Sequence, residues 1–188
     1  MAQSMPYVVS LWKIVPFACC DRRAACDGMP TSSVIPPEVP ANLRPPAGEV
    51  LFLEASASGV QIYECVLKPG QPPTYAWIFR GPEAALMDSS GRSLGKHYAG
   101  PTWESNDGSS VVGEVKGSDS GPTANAIPWL LLTAKTTAGS GAFSPTTSIQ
   151  RLRTVGGVTP SEACSASNAA QLARVPYTAT YYFYRAAR

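Results

Sequence analysis

The sequence predicts an all-β domain: an antiparallel sandwich or barrel with one short helix, preceded by an extended proline-rich segment. Three observations carry this. Eighteen prolines and sixteen glycines cut the 188-residue chain into short pieces, because these residues remove backbone donors or permit turns. Between the cuts lie runs rich in β-branched and aromatic residues, several of them alternating apolar with polar, the period of a half-buried strand. Hydrophobic residues make up 44% of the chain and charged residues 15%. A core can therefore be filled, while the surface is covered mainly by Ser, Thr, Gly, Asn and Gln, as in many extracellular β-proteins.

The N-terminal run "VVSLWKIVPFACC" is apolar but interrupted by Lys13, and its basic residues, Arg22 and Arg23, follow it. That order is the reverse of a secretory signal. Residues 1–29 read as an atypical extension, packed as an added edge. Residues 30–47, within "PTSSVIPPEVPANLRPPAGEV", cannot form a helix, since proline lacks the donor and clashes with the preceding turn. They read as a strap laid over a single β domain at 48–188.

In that domain "EVLFLEAS" and "GVQIYECVL" read as two strands joined by a hairpin at Ala57-Ser58-Gly59. "TYAWIFR" is a third strand and "AALMD" a short fourth, running into the turn "SSGRSLG". In "SSVVGEVKG", Gly113 marks a bulge or a close backbone approach. "IPWLLLTAKTTA", "TSIQRLRTVGG" and "VPYTATYYFYR" complete the strands. Alternation splits Tyr177, Tyr181, Tyr182 and Tyr184 between an inward and an outward set, and places Arg151 and Arg153 on one face. Thr159 as N-cap, Pro160 at the first helical position and Glu162 three residues after the cap predict the short helix, over 160–172.

The formal charge of +2 is too small to indicate nucleic acid, and no apolar stretch is long enough to span a bilayer. The expected partner is a small-molecule ligand or substrate. Cys19, Cys20 and Cys26 lack zinc-site spacing and a neighbouring histidine. Cys65 and Cys164 lie deep in the main body. Two readings stand for them: a disulfide stapling an early strand to a late segment, or two buried thiols.

The stretch with the most chemistry is "GKHYAGPTWESNDGS", residues 95–109. It holds His97, the only histidine of the chain, with Tyr98, Trp103, Glu104 and Asp107. "GRSLG" just before it matches the G-x-S-x-G pattern of hydrolase nucleophiles but lacks the strand-to-helix context. Ser93 lies four residues before His97, and a turn would bring hydroxyl and imidazole together. A nucleophile needs a base within reach and a third group to orient that base, a role open to Glu104 or Asp107. One histidine excludes multi-histidine zinc sites, so any metal would be an oxygen-ligated ion such as Ca²⁺ on Asp107 and Glu104, or sit in a weak mixed site. The alternative for such acids is turn capping, the reading preferred for Asp88 and Asp119. Tyr98 and Trp103 are the candidate ligand-binding walls, whereas Trp77 and Trp129, inside apolar runs, read as core.

"GVQIYEC", the run from "YAWIFRG" to "SSVVGEV", "IPWLLLTA", "IQRLRTVGG" and "VPYTATYYFYR" together resemble the secreted-protein family called domain of unknown function 3455, over about residues 48–188. The resemblance implies an exported all-β protein, secreted or periplasmic, and supplies no catalytic residues to carry over. Three functions compete. The first is a small hydrolase of an ester or lactone, with His97 as base, Ser93 or water as nucleophile, Glu104 or Asp107 orienting, and either no cofactor or a divalent cation. The second is an exported binding module for a carbohydrate or small apolar ligand, without catalysis. In the third, the 95–109 loop is architecture only.

Overall fold

The computed structural model describes residues 37–188. The extension expected at 1–29 and the start of the strap, to residue 36, lie outside the described residues. Eight strands follow in chain order: β1 (Glu49–Lys68), β2 (Thr74–Met87), β3 (Ser93–Tyr98), β4 (Thr102–Ser105), β5 (Ser110–Asp119), β6 (Trp129–Ala138), β7 (Ser148–Gly156) and β8 (Leu172–Ala186). Each pairs antiparallel with the next, and β8 returns to β1, so the sheet closes as a barrel. Of the two architectures the sequence allows, this is the one without free edges. Among the described residues, no helix is long and apolar enough to cross a membrane.

Two of the expected breaks are continuous strand. Ala57-Ser58-Gly59 is no hairpin: β1 runs straight through it. A Cβ at position 59 would strike the Glu83 carbonyl and Ala84 of β2, so this glycine permits a close approach, not a turn. Likewise "TYAWIFR" and "AALM" are one strand, β2, which passes through Gly81 and Pro82 and ends before Asp88. The register slips there, between Ile62 and Tyr63 of the partner strand, and such an irregularity is where a strand tolerates proline.

The helix expected over 160–172 is a single 3-10 turn, Ala166–Asn168, and its capping box is Ser165 with Asn168. The physical reason lies on either side of it. Cys164 is bonded to Cys65, S–S 2.01 Å. Ala170 N–H donates to the Cys65 carbonyl, and Cys65 N–H donates to the Gln171 carbonyl. Groups engaged in extended pairing with β1 are lost to an i→i−4 ladder. Of the two readings of these cysteines, the disulfide holds.

Residues directly opposite one another across an antiparallel pair share a face. Ala55 faces Tyr181, Tyr181 faces Arg151, and Arg151 faces Leu130. This belt lies inside the barrel. The interior is aromatic: Trp103, Phe143, Tyr177, Tyr181 and Phe183 are buried with Leu86, Val111, Leu132 and Ile149. Tyr182 and Tyr184 point outward, as alternation requires, and pack with Leu152 under Leu43 of the proline strap. Gln150 Nε2 donates to the Leu43 carbonyl, and the Tyr184 hydroxyl donates to Gln150 Oε1. Gly117 leaves room for the Asn42 carbonyl, so the strap lies directly on β5.

Arg151 and Arg153 do not share a face. The β7–β8 register shifts between Leu152 and Val155, and Arg153 adopts φ +51°. The bulge sends Arg153 outward over the Tyr182 ring, 5.8 Å from its centroid, and leaves Arg151 on the inner side. Trp77 also departs from the core role expected of it, whereas Trp129 takes that role in the outer cluster. Trp77 is half-buried and donates its indole N–H to the Glu162 carbonyl at 2.8 Å. Trp129 packs against the outer cluster beneath the strap.

Candidate functional site

The stretch 95–109 is two short strands and two turns. Residues 95–98 end β3, residues 99–101 turn, β4 runs back, and Asn106–Gly108 turn into β5. His97 faces Trp103, and Lys96 faces Glu104. Alternation then sorts the candidates. His97 and Trp103 point into the barrel. Lys96, Tyr98 and Glu104 form an outer cluster: Tyr98 donates its hydroxyl to Glu104 Oε2 at 2.7 Å, and Lys96 Nζ lies 3.0 Å from Glu104 Oε1. That hydrogen bond from Tyr98, with Lys96 adding to it, holds the Glu104 carboxyl below its ordinary value.

His97 is 2% exposed. Its Nδ1 lies 2.8 Å from the Thr102 carbonyl oxygen. A carbonyl can only accept, so Nδ1 carries the proton and Nε2 bears the lone pair. Burial pulls the imidazole down to about 3, the Thr102 carbonyl opposing and the Arg151 charge reinforcing. The ring is therefore neutral across the physiological range.

Ser93 sits on the same strand as His97. Four residues of extended chain span about 13 Å, so no turn joins hydroxyl and imidazole. Ser93 instead receives the Asn106 amide on both its carbonyl and its Oγ. Asp107 lies beyond the far end of β4, where it caps a turn. Its Oδ1 accepts from Ser109 N–H at 2.8 Å and from Ser109 Oγ at 2.6 Å, and its Oδ2 accepts from Ala142 N–H at 2.7 Å. The Ser109 hydroxyl, followed by these backbone donors, lowers the Asp107 carboxyl to about 2. Ser109 Oγ in turn accepts from Phe143 N–H. Asp107 and Ser109 together pin the segment that inserts Phe143, whose ring lies 4.7 Å from that of Phe183. Phe143 thus plugs this end of the barrel. Asp88 and Asp119 cap turns too, accepting from Ser90 and Gly121 N–H. Among the described residues, no group of three or more His, Cys, Asp or Glu is placed to hold a metal ion.

The other end is open. A cavity of about 450 Å³ enters the barrel between Phe79, Pro101, Val115 and Pro128 and descends past Leu130 and Leu132 to His97, Trp103 and Tyr181. Phe79 and Val115 are each half exposed at its rim. The His97 and Trp103 rings stack at 4.4 Å, and Tyr181 meets both edge-on. Of the four residues proposed as catalytic, only His97 lines this cavity; of the two proposed as walls, only Trp103 does.

Arg151 also lines it. Its Nε and Nη2 both donate to the Pro128 carbonyl, at 3.1 and 2.9 Å. Sequence alternation placed Arg151 on one face of a strand. That the face is the interior follows only from the closed register.

A sequence model of the family described as protein of unknown function (DUF3455) matches residues 46–185. No curated protein and no solved structure matches the chain.

Proposed function

The chain belongs to the DUF3455 family, and for this member we propose the role of an exported β-barrel that holds a small apolar ligand in its open end without performing chemistry on it. The observation that carries this is the cavity itself: concave, walled by Phe79, Leu130, Leu132, Trp103 and Tyr181, with few polar groups. Ligand sites have this character and a comparable volume, and barrel mouths are among their usual places. The hydrolase reading calls for a carboxylate on the base, and His97 has a backbone carbonyl there. The Cys65–Cys164 bridge suits an oxidising compartment.

The test uses a neutral fluorescent probe, N-phenyl-1-naphthylamine, titrated into the oxidised protein. Saturable fluorescence enhancement, reversed by octan-1-ol, is expected. Val115→Trp places an indole across the mouth from a half-exposed position and should abolish the enhancement with the fold intact by circular dichroism. Enhancement undiminished in Val115→Trp would remove the cavity as the site.

A further inference from the structure

We propose that the ligand of this cavity is a small monocarboxylate with an apolar body, its carboxylate held at the mouth by Arg151. This rests on the cavity being a ligand site and names the chemistry of what it takes.

Among the described residues, Arg151 is a cation without a counter-charge. Among the described residues the ion pairs are Arg80–Glu64, Arg92–Asp88, Lys96–Glu104, Lys116–Glu114 and Arg174–Glu83. The comparison with Arg80 is direct, because Arg80 lines the same mouth and is neutralised by Glu64 at 2.7 Å. Arg151 has instead the Pro128 carbonyl, which takes Nε and one hydrogen of Nη2. That contact fixes the guanidinium plane but leaves its charge unpaired. The N–H groups of Nη1 and the second hydrogen of Nη2 remain to donate, and a guanidinium presents such donors in the fork that a carboxylate fits.

The walls carry polar atoms without partners. Trp103 Nε1 and the Tyr181 hydroxyl are buried and make no hydrogen bond of good geometry. Both residues line the cavity and each is 1% exposed. The Tyr181 hydroxyl does lie near enough to Tyr177 and Arg151 for its acidity to respond to both. Indole N–H can only donate, and a buried donor left unpaired costs about 1–3 kcal/mol. An acceptor-rich head group answers the unpaired cation at the mouth, whereas the indole N–H and the hydroxyl lie deeper, at the floor of the cavity.

The charge of the ligand follows from the same set. His97 is neutral, Arg80 is paired, and no other basic residue among those described lines the cavity. One cation in an apolar enclosure matches one negative charge. A dianion such as a phosphate monoester would bring in an unmatched charge at a desolvation cost that the site does not offset. The rest of the lining is aliphatic, aromatic, proline and glycine, so the body of the ligand is apolar.

The experiment compares octanoate with octan-1-ol and methyl octanoate as competitors for N-phenyl-1-naphthylamine bound to the oxidised protein at pH 7.5. The three share a chain and differ in the head group. Octanoate is expected to displace the probe at a concentration about 10- to 100-fold lower, the range that charge-assisted hydrogen bonds provide, and its advantage should shrink with added salt. Arg151→Gln should remove the advantage of octanoate while leaving displacement by octan-1-ol unchanged; Arg151→Lys, with charge but no fork, should keep part of it. Equal potency of octanoate and octan-1-ol on the wild type overturns the inference while leaving the apolar site standing. So does an octanoate preference that survives in Arg151→Gln. If the probe does not bind at all, the cavity reading fails and this inference falls with it. If Arg151→Gln does not fold, Arg151→Lys serves in its place: an octanoate advantage undiminished there overturns the inference.

Discussion

The imidazole of His97 lies flat against the indole of Trp103, ring centroids 4.4 Å apart and planes 15° from parallel. The two residues oppose one another across β3 and β4, so the hairpin register itself makes the stack. Its consequence is a neutral histidine. The ring is buried against the face of Trp103 and near Tyr181, which meets it edge-on, with its one N–H already engaged by Thr102.

That neutrality makes stability depend on pH in a defined window. The folded value, about 3, lies below the ordinary 6.5. Below about pH 6.5 the unfolded chain binds a proton that the folded chain refuses. The contribution of His97 is therefore complete above pH 6.5 and is lost as pH falls towards 3, reaching a few kcal/mol. Urea unfolding at pH 7.5, 6, 5 and 4.5 should show this decline before most carboxylates titrate. In His97→Phe, which keeps the stack, the curve should be flat over that interval, although stability is lower throughout. A variant with the wild-type slope would show that another group is responsible.

The Cys65–Cys164 bridge spans a sequence separation of 99. A loop of this length is worth about 4–5 kcal/mol in the chain-entropy account. The Cys65→Ser, Cys164→Ser double variant should show a loss of this order in urea. Reduction of the wild type should lower its unfolding midpoint comparably and leave the double variant unmoved.

Asp107→Ala should lower the melting temperature and increase proteolytic cutting within residues 139–147, because Ala142 N–H and the Ser109 hydroxyl lose their acceptor and the Phe143 plug loosens. Added Ca²⁺ should leave the melting temperature of the wild type unchanged. A calcium-dependent rise that Asp107→Ala abolishes would return the residue to the role of ligand.

Gly113→Val should perturb the cavity from behind. A Cβ at 113 would lie 2.9 Å from Trp103 Cζ3 and 3.0 Å from Leu132 Cδ2. Overpacking of this kind costs about 1–3 kcal/mol. The expected readouts are a lower urea midpoint, a shifted near-ultraviolet tryptophan signal and weaker probe binding. A variant as stable as the wild type, with probe binding intact, would mean that the interior yields more readily than its contacts suggest.

Most of the β architecture was legible because alternation and proline–glycine punctuation act locally. The split of Tyr177 and Tyr181 from Tyr182 and Tyr184 followed from period two alone, and Gly113 signalled both a register shift and a close approach. Where the reading failed, non-local contacts had decided the outcome. Gly59 looked like a turn because its partner, the Glu83 carbonyl, was not visible from β1. The helix signal at Thr159–Glu162 was locally sound and was overridden by pairing with β1 and the bond to Cys65. Taken as one loop, the 95–109 stretch offers Glu104 and Asp107 to His97. Strand register puts Glu104 on the opposite face and Asp107 at the opposite end. Arg151 could be placed on a face from sequence, but the bulge that parts it from Arg153 depends on the β7–β8 pairing.

Closure of the barrel through β1 and β8 also sets an order of events. That pairing brings Glu49 to Ala186 and Cys65 to the segment just before β8, contacts separated by most of the described chain. Hairpins from β1–β2 to β6–β7 can form from near neighbours, but the closing seam must wait until β8 is available, and such distant contacts slow folding. Until then β1 and β7 are both open edges able to pair with another chain. During synthesis the interval between release of β7 and docking of β8 is thus the period of greatest exposure to misassembly. The cavity, whose lining needs Arg151 of β7 and Tyr181 of β8, comes into being only when that interval ends.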